Sequence, residues 1–312
     1  ITGVEAIITA DDVPGKKTYG LISSDQPVFA QDFVRYVGEP IAAVAADHPE
    51  TCRRALAAIK VEYEVLTPLT DAELAIQPTT PPIHPDGNVI RRQQIITGDQ
   101  KLQGEIVVEG TYEIGMQDQA FLGLEAALAL PDSGGKGIEM FVATQWLHED
   151  QKQIAACLDL PNEKVRLTLG GVGGAFGARE DISLQVHCAL LALRTSRPIK
   201  MQYSREESFY GHVHRHPAKI FIRHHATRTG EIQRIEAKLV FDGGAYASTS
   251  SAVLINGVTH IQGPYRCPNA TVDGYAVRTN NPPCGAMRGF GVVQACYAHE
   301  SQMDKLAVDC GL

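Results

Sequence analysis

The polar and apolar positions of residues 40–66, PIAAVAADHPETCRRALAAIKVEYEVL, change period twice within one stretch. A short apolar run comes first and predicts a strand. HPETCRRALAAI then spaces its apolar residues along one face of a helix. From Ile59 to Val65 a β-branched run returns to alternation, the period of a half-buried strand. Asp47 stands where a helix cap belongs, with Glu50 placed to complete a capping box and Pro49 in the first turn. The first block therefore reads strand, helix, strand.

From Thr67 to Gly87 the pattern dissolves, and Pro68, Pro78, Pro81, Pro82 and Pro85 fall among Thr and Asp. That composition predicts a linker or a long surface connection. The domain boundary is placed near residue 90, giving a first domain of 1–90 with its linker and a second of 91–312. In the second block, EIVVEGTYEI, LEAALAL and IEMFVAT predict strands, WLHEDQKQIAACLDL a helix and KVRLTL a strand. A glycine loop and a helix from Asp181 to about Thr195 follow, then strands at PIKMQYS, AKIFIRH and AKLVFDG. There is no internal repeat, and the expected fold is mixed α/β (α+β).

Composition narrows the function classes. A formal charge of −8 over 312 residues argues against a nucleic-acid partner, which needs clustered Lys and Arg. No apolar run reaches the length of a membrane span. The seven cysteines (52, 157, 188, 267, 284, 296 and 310) form no Cys-x-x-Cys pair, so neither a zinc ribbon nor an iron–sulfur site is written here. Scattered thiols suit a reducing cytoplasm. The chain opens on ITGVEAIITA without a Met or a signal and closes on ESQMDKLAVDCGL, a helical pattern without a clear end, which reads as a piece of a longer polypeptide.

The chemistry concentrates in GGVGGAFGARED, residues 170–181, where five glycines occupy eight positions around Phe176. A P-loop is excluded, because no Lys-Ser or Lys-Thr follows. The dinucleotide fingerprint meets Phe176 where its third glycine belongs. What remains is a bare strand-to-helix backbone that exposes N–H groups to a ligand, with the following helix N-terminus adding a field for negative charge. A plain surface turn is the competing reading. VATQW ends a strand on Gln145, whose amide both donates and accepts. GAMRGFG places Arg288 and Phe290 between glycines. HVHRH sets His212, His214 and His216 at alternate positions, with a surface or interface patch expected and a zinc site the alternative. The acids of SREES read as solvated or paired with Arg205.

At these residues the chain resembles the molybdenum-cofactor subunit of the xanthine dehydrogenase and aldehyde oxidase family. GGAFGARE looks like its G-G-x-F-G-x-[KR]-E loop, ATQ like its glutamine motif and MRGFGVVQ like its R-G-F-G-x-x-Q loop. DGGAYAS and MDKLAVDCGL fit the same pattern, and ADDVPG with RYVGEPIAAVAADHPE resembles the α/β hammerhead domain that precedes the cofactor domain. Within the family it looks most like the bacterial hypoxanthine oxidases. The resemblance implies a molybdopterin cofactor, with Gln145 facing an oxygen on the metal and the backbone of Phe176, Gly177 and Arg288 contacting the cofactor near it. It further implies that Phe290 packs on a flat heteroaromatic substrate and that Glu180 hydrogen-bonds its ring, an acid at this place going with purines rather than aldehydes. The implied reaction hydroxylates an electron-poor ring carbon with water as oxygen source.

Departures from the family pattern qualify the substrate. The general-base glutamate belongs to a later segment, so no catalytic acid is assigned in this chain, which alone is expected to be inactive. Asn256 stands where xanthine oxidisers carry an arginine, which favours hypoxanthine or another N-heterocycle over xanthine. Gln119 replaces a common His. Carbon monoxide dehydrogenase is excluded, because Gly289 occupies the place of its cysteine and Cys284 lies too early. Iron–sulfur and flavin groups are expected on other domains or subunits, in an oligomer, without nucleic acid or membrane. An aldehyde oxidase, or a non-catalytic scaffold or assembly fragment, are the competing readings.

Overall fold

The computed structural model describes residues 1–134 and 136–312. In chain order its first elements are β1 (Val4–Ile8), β2 (Thr18–Tyr19), β3 (Gln26–Pro27), β4 (Ala43–Ala46), α1 (Pro49–Ala58) and α2 (Ala72–Ala75). There follow β5 (Val89–Thr97), β6 (Ile106–Ile114), β7 (Ala126–Pro131), β8 (Ile138–Val142), α3 (Leu147–Leu158), β9 (Val165–Leu169) and α4 (Gln185–Thr195). The chain ends with β10 (Ile199–Gln202), α5 (Arg205–Gly211), β11 (Ala218–Ala226), β12 (Ile232–Asp242), α6 (Ser250–Thr259), β13 (Asn269–Val277) and α7 (Val292–Cys310). Contacts divide it into two units, one of residues 1–68 with 119–213 and the other of 69–118 with 214–312.

The first unit is built on a sheet in the order β10-β7-β8-β9, antiparallel except for the β8–β9 pair. Its core joins Met140, Val142, Ile154, Leu184 and Leu191 with Ile8, Ala43 and Ala45 of the β1–β4 pair. The small N-terminal block thus buries its apolar face on α4, whose residues are buried along most of its length. The second unit is a five-stranded sheet, β5-β13-β12-β11-β6, with the single parallel pair β12–β13. Helices α6 and α7 cover one face through Ile220, Ile222, Leu239 and Phe241, and α2 covers the other through Val240. Burial alternates over the first six residues of β11, while β12, covered on both faces, is buried along most of its length.

Three local expectations change. His48, one residue on from Asp47, caps α1: its Nδ1 accepts the Glu50 N–H at 3.1 Å, and Pro49 takes the first helical position. The run from Ile59 to Val65 forms no strand, because no neighbour pairs with it among the described residues, and Tyr63 and Val65 stand exposed. The helix expected from Asp181 begins at Gln185, after a single 3₁₀ turn at Ala178–Glu180. At the far end α7 closes on Gly311, whose φ of 71° makes the left-handed cap that the pattern alone did not show. Of the SREES acids, Glu207 forms a reciprocal capping box with Ser204 at the start of α5.

One buried acid ties the fold to pH. Asp150 of α3 is fully buried. Desolvation pushes its pKa up to about 7, the Thr144 hydroxyl opposes that, and the neighbouring Asp181 and Glu149 charges add to it. A carboxyl that holds its proton more tightly when folded stabilises most at low pH and progressively less as pH rises. Stability is therefore expected to decline from about pH 4, the unfolded carboxyl range, to about pH 7. Asp150→Asn should flatten that slope in denaturation midpoints taken across the range; an unchanged slope would place its origin elsewhere. Met140, fully buried at the centre of the first sheet, supplies a packing test: Met140→Ala should cost about 2–5 kcal/mol in chemical denaturation.

Candidate functional site

The glycine loop leaves β9 and runs to the 3₁₀ turn. It is held through its carbonyls. Gly173 C=O accepts the Gly123 N–H at 3.1 Å, and the Arg179 guanidinium donates to the carbonyls of Val172 and Gly123. The approach is close enough that a Cβ on Gly173 would lie 2.8 Å from the Gly123 Cα, so the contact requires glycine. The N–H groups of residues 171–176, by contrast, make no hydrogen bond among the described residues. Gly173, Gly174 and Gly177 have positive φ, and so does Phe176 at 52°, a conformation that costs a non-glycine residue energy. Phe176 is half exposed.

Gln145 is brought to this loop by two bonds. Its N–H donates to the Arg179 carbonyl at 2.8 Å, and its side-chain oxygen accepts the Gly177 N–H at 3.0 Å. With the oxygen end committed, the NH₂ end is the one left to donate to a ligand. Glu180, on the following turn, is half-buried; its carboxylate has no hydrogen bond or ion pair among the described residues, and desolvation raises its pKa. Gln145, Phe176, Gly177 and Glu180 thus gather around one loop of the first unit.

Arg288, Phe290 and Asn256 belong to the second unit. The Arg288 carbonyl accepts from Arg215 at 2.8 Å, which fixes the turn while leaving the Arg288 side chain exposed. Gly289, Phe290 and Gly291 are left-handed in succession, with φ of 92°, 46° and 92°. A Cβ on Gly291 would lie 2.2 Å from the Val253 carbonyl of α6, so glycine lets the turn seat against that helix. Asn256 lies on the same helix, half-buried, its backbone carbonyl engaged by His260. Phe290 packs in part on the second core.

The histidine run is no surface patch: all three rings are buried. His212 pairs with Glu125 at 3.0 Å and with Gln119 at 3.2 Å, in the first unit. In the second, His214 lies 3.4 Å from Asp118, and His216 bonds the Ser250 hydroxyl at 2.8 Å. Burial, with Arg215 beside it, pushes the His216 pKa down to about 3, so that ring is neutral. Gln119, unexplained by sequence, is the amide partner of His212. Glu125 is held below the usual carboxylate range: burial works to raise it, and the His212 bond and charge outweigh that. Among described residues a polar cavity of about 10 Å³, room for one water, is lined by Glu125, Arg179, Asp181, Gln185 and His212. Sequence reasoning passed over Arg179, whose burial gives it its importance.

Known proteins resemble this chain throughout. Residues 1–67 match the a/b hammerhead domain of aldehyde oxidase and xanthine dehydrogenase, and residues 83–312 the molybdopterin cofactor-binding domain. The large molybdopterin subunit of nicotinate dehydrogenase from Eubacterium barkeri is 41% identical over all of this chain and 74% of its own length. A probable xanthine dehydrogenase subunit of Bacillus subtilis is 39% identical over 99% of this chain and 42% of its own. The chain spans 23% of the xanthine dehydrogenase/oxidase of Gallus gallus, at 32% identity. In structure it superposes over its whole length on 36% of the aldehyde oxidoreductase of Desulfovibrio gigas, with a TM-score of 0.94 and 26% identity. The mixed α/β fold, the glycine loop and these matches agree: the chain belongs to the xanthine dehydrogenase and aldehyde oxidase family of molybdenum hydroxylases, and carries its hammerhead and molybdopterin-binding domains.

Proposed function

We propose that this chain forms the cofactor-binding and substrate-facing part of an enzyme that hydroxylates an N-heterocycle, in first place a purine of the hypoxanthine type. Residues 1–90 supply the hammerhead domain and its linker, and 91–312 the first part of the cofactor domain. The donors suit the cofactor: six loop N–H groups without a partner among the described residues and an oriented Gln145 amide match a phosphate-bearing, hydrogen-bonding pterin and a metal that carries oxygen. When bound, that group supplies the Lewis acidity and the two-electron redox chemistry of the reaction. Gln145 donates toward the metal's oxygen, and the backbone of Phe176, Gly177 and Arg288 holds the cofactor beside it. Phe290 offers a face for the ring and Asn256 an amide for a ring oxygen. The general base lies outside these residues.

The observation that carries the purine reading is Glu180, a half-buried carboxyl without a protein partner, raised by burial. Such a group shares a proton with a ring nitrogen and gives an aldehyde nothing to match it. A nicotinate-type substrate is the second reading, favoured by the 41% identity to the Eubacterium subunit; a carboxylate on that ring would meet like charge if placed against Glu180. Iron–sulfur and flavin partners, an oligomeric assembly and a cytoplasmic setting complete the proposal. No helix among the described residues is long and apolar enough to cross a membrane.

In the holoenzyme, with a dye as electron acceptor, hypoxanthine should turn over faster than xanthine, nicotinate or benzaldehyde. Glu180→Gln should lower kcat/KM for hypoxanthine on the order of 100-fold while leaving molybdenum content unchanged. Turnover of nicotinate with hypoxanthine inert would replace the first reading by the second, and preference for benzaldehyde would remove both.

A further inference from the structure

A loop that keeps its N–H groups for a ligand cannot use them to hold its own shape, so another group must do so. We propose that Arg179 is the positioning residue of the cofactor cradle; the inference rests on the reading that the glycine loop holds the cofactor. Three segments meet on this one residue. Its guanidinium donates to Val172 in the loop and to Gly123 in the segment before β7. Its carbonyl accepts the Gln145 N–H at 2.8 Å and the Thr144 hydroxyl at 3.2 Å. The guanidinium also lies over the Phe121 ring, 4.5 Å from its centroid.

The charge is 4% exposed, and it is anchored. Glu125, whose negative charge acts on Arg179 across the polar cavity, is itself paired with His212, and His212 with Gln119. A planar fork with several donors bridges two carbonyls on different segments; an ammonium is a compact point charge. Removing the fork leaves two half-buried carbonyls without their donor and leaves the loop joined to Gly123 by the single bond from its N–H to Gly173. The Gln145 side-chain amide, which accepts the Gly177 N–H at the end of that loop, would lose its aim as the loop loosens. Arg179 thus acts through the glycine loop and Gln145, the groups read as facing the cofactor.

The test compares Arg179→Lys and Arg179→Met in the holoenzyme, with hydrogen exchange read residue by residue and molybdenum measured by elemental analysis. In Arg179→Met the amides of Gly123, Gln145 and Gly177 should exchange faster by about tenfold or more, with β8 and α4 unchanged, and molybdenum should fall. Arg179→Lys should restore part of both. If Arg179→Met does not fold, Arg179→Lys alone decides, by intermediate exchange at the same three amides. Unchanged exchange there, or an equal rise throughout the first unit, would overturn the positioning role. Faster local exchange with full molybdenum would uphold it and instead remove the cofactor reading of the loop.

Discussion

The loop at residues 171–176 rests on a division of labour within the peptide group. The carbonyls of Val172, Gly173 and Ala175 bind protein, and the N–H groups do not among the described residues. A backbone group left without a partner away from water is costly, so the arrangement lasts only where the open donors face solvent or a ligand. Exposure of Gly171, Gly173 and Phe176 meets that condition. The glycines follow from the same constraint, because positive φ and the close contact with Gly123 exclude side chains at Gly173. So does the buried arginine, which donates to carbonyls of two segments at once.

Buried polar groups elsewhere in the first unit are arranged as a chain. Arg179, Glu125, His212 and Gln119 run from the loop toward the segment that enters the unit. Each charge is costly to bury alone and tolerable when paired. Met140 of the sheet and Leu191 of α4 belong to the apolar core of the same unit. Rigid packing below and polar anchoring above suit a loop that must keep its shape with few internal bonds.

Much of this was legible in the sequence. The runs AKIFIRH and AKLVFDG found most of β11 and the second half of β12, and the glycine spacing singled out the loop. The family followed from long motifs in order. What stayed hidden depended on the third dimension. Val89–Thr97 carries two arginines and two glutamines, so β5 has little apolar signal and owes its place to pairing with β13. Residues 59–65 had the alternation and found no partner, which shows that period two marks a face and not a neighbour. Nor does spacing reveal that the three histidines and Arg179 are buried.

Two turns share one conformation. Phe176 with Gly177 and Phe290 with Gly291 each set a phenylalanine in the left-handed region ahead of a left-handed glycine. Each phenylalanine gives up about 1–3 kcal/mol that a glycine would not. Selection for thermostability alone would therefore erase both rings, and a consensus or computational stabilisation of this protein would rank those positions among its easiest gains. Following that ranking would yield a sturdier chain with two blank turns where its aromatic faces had been.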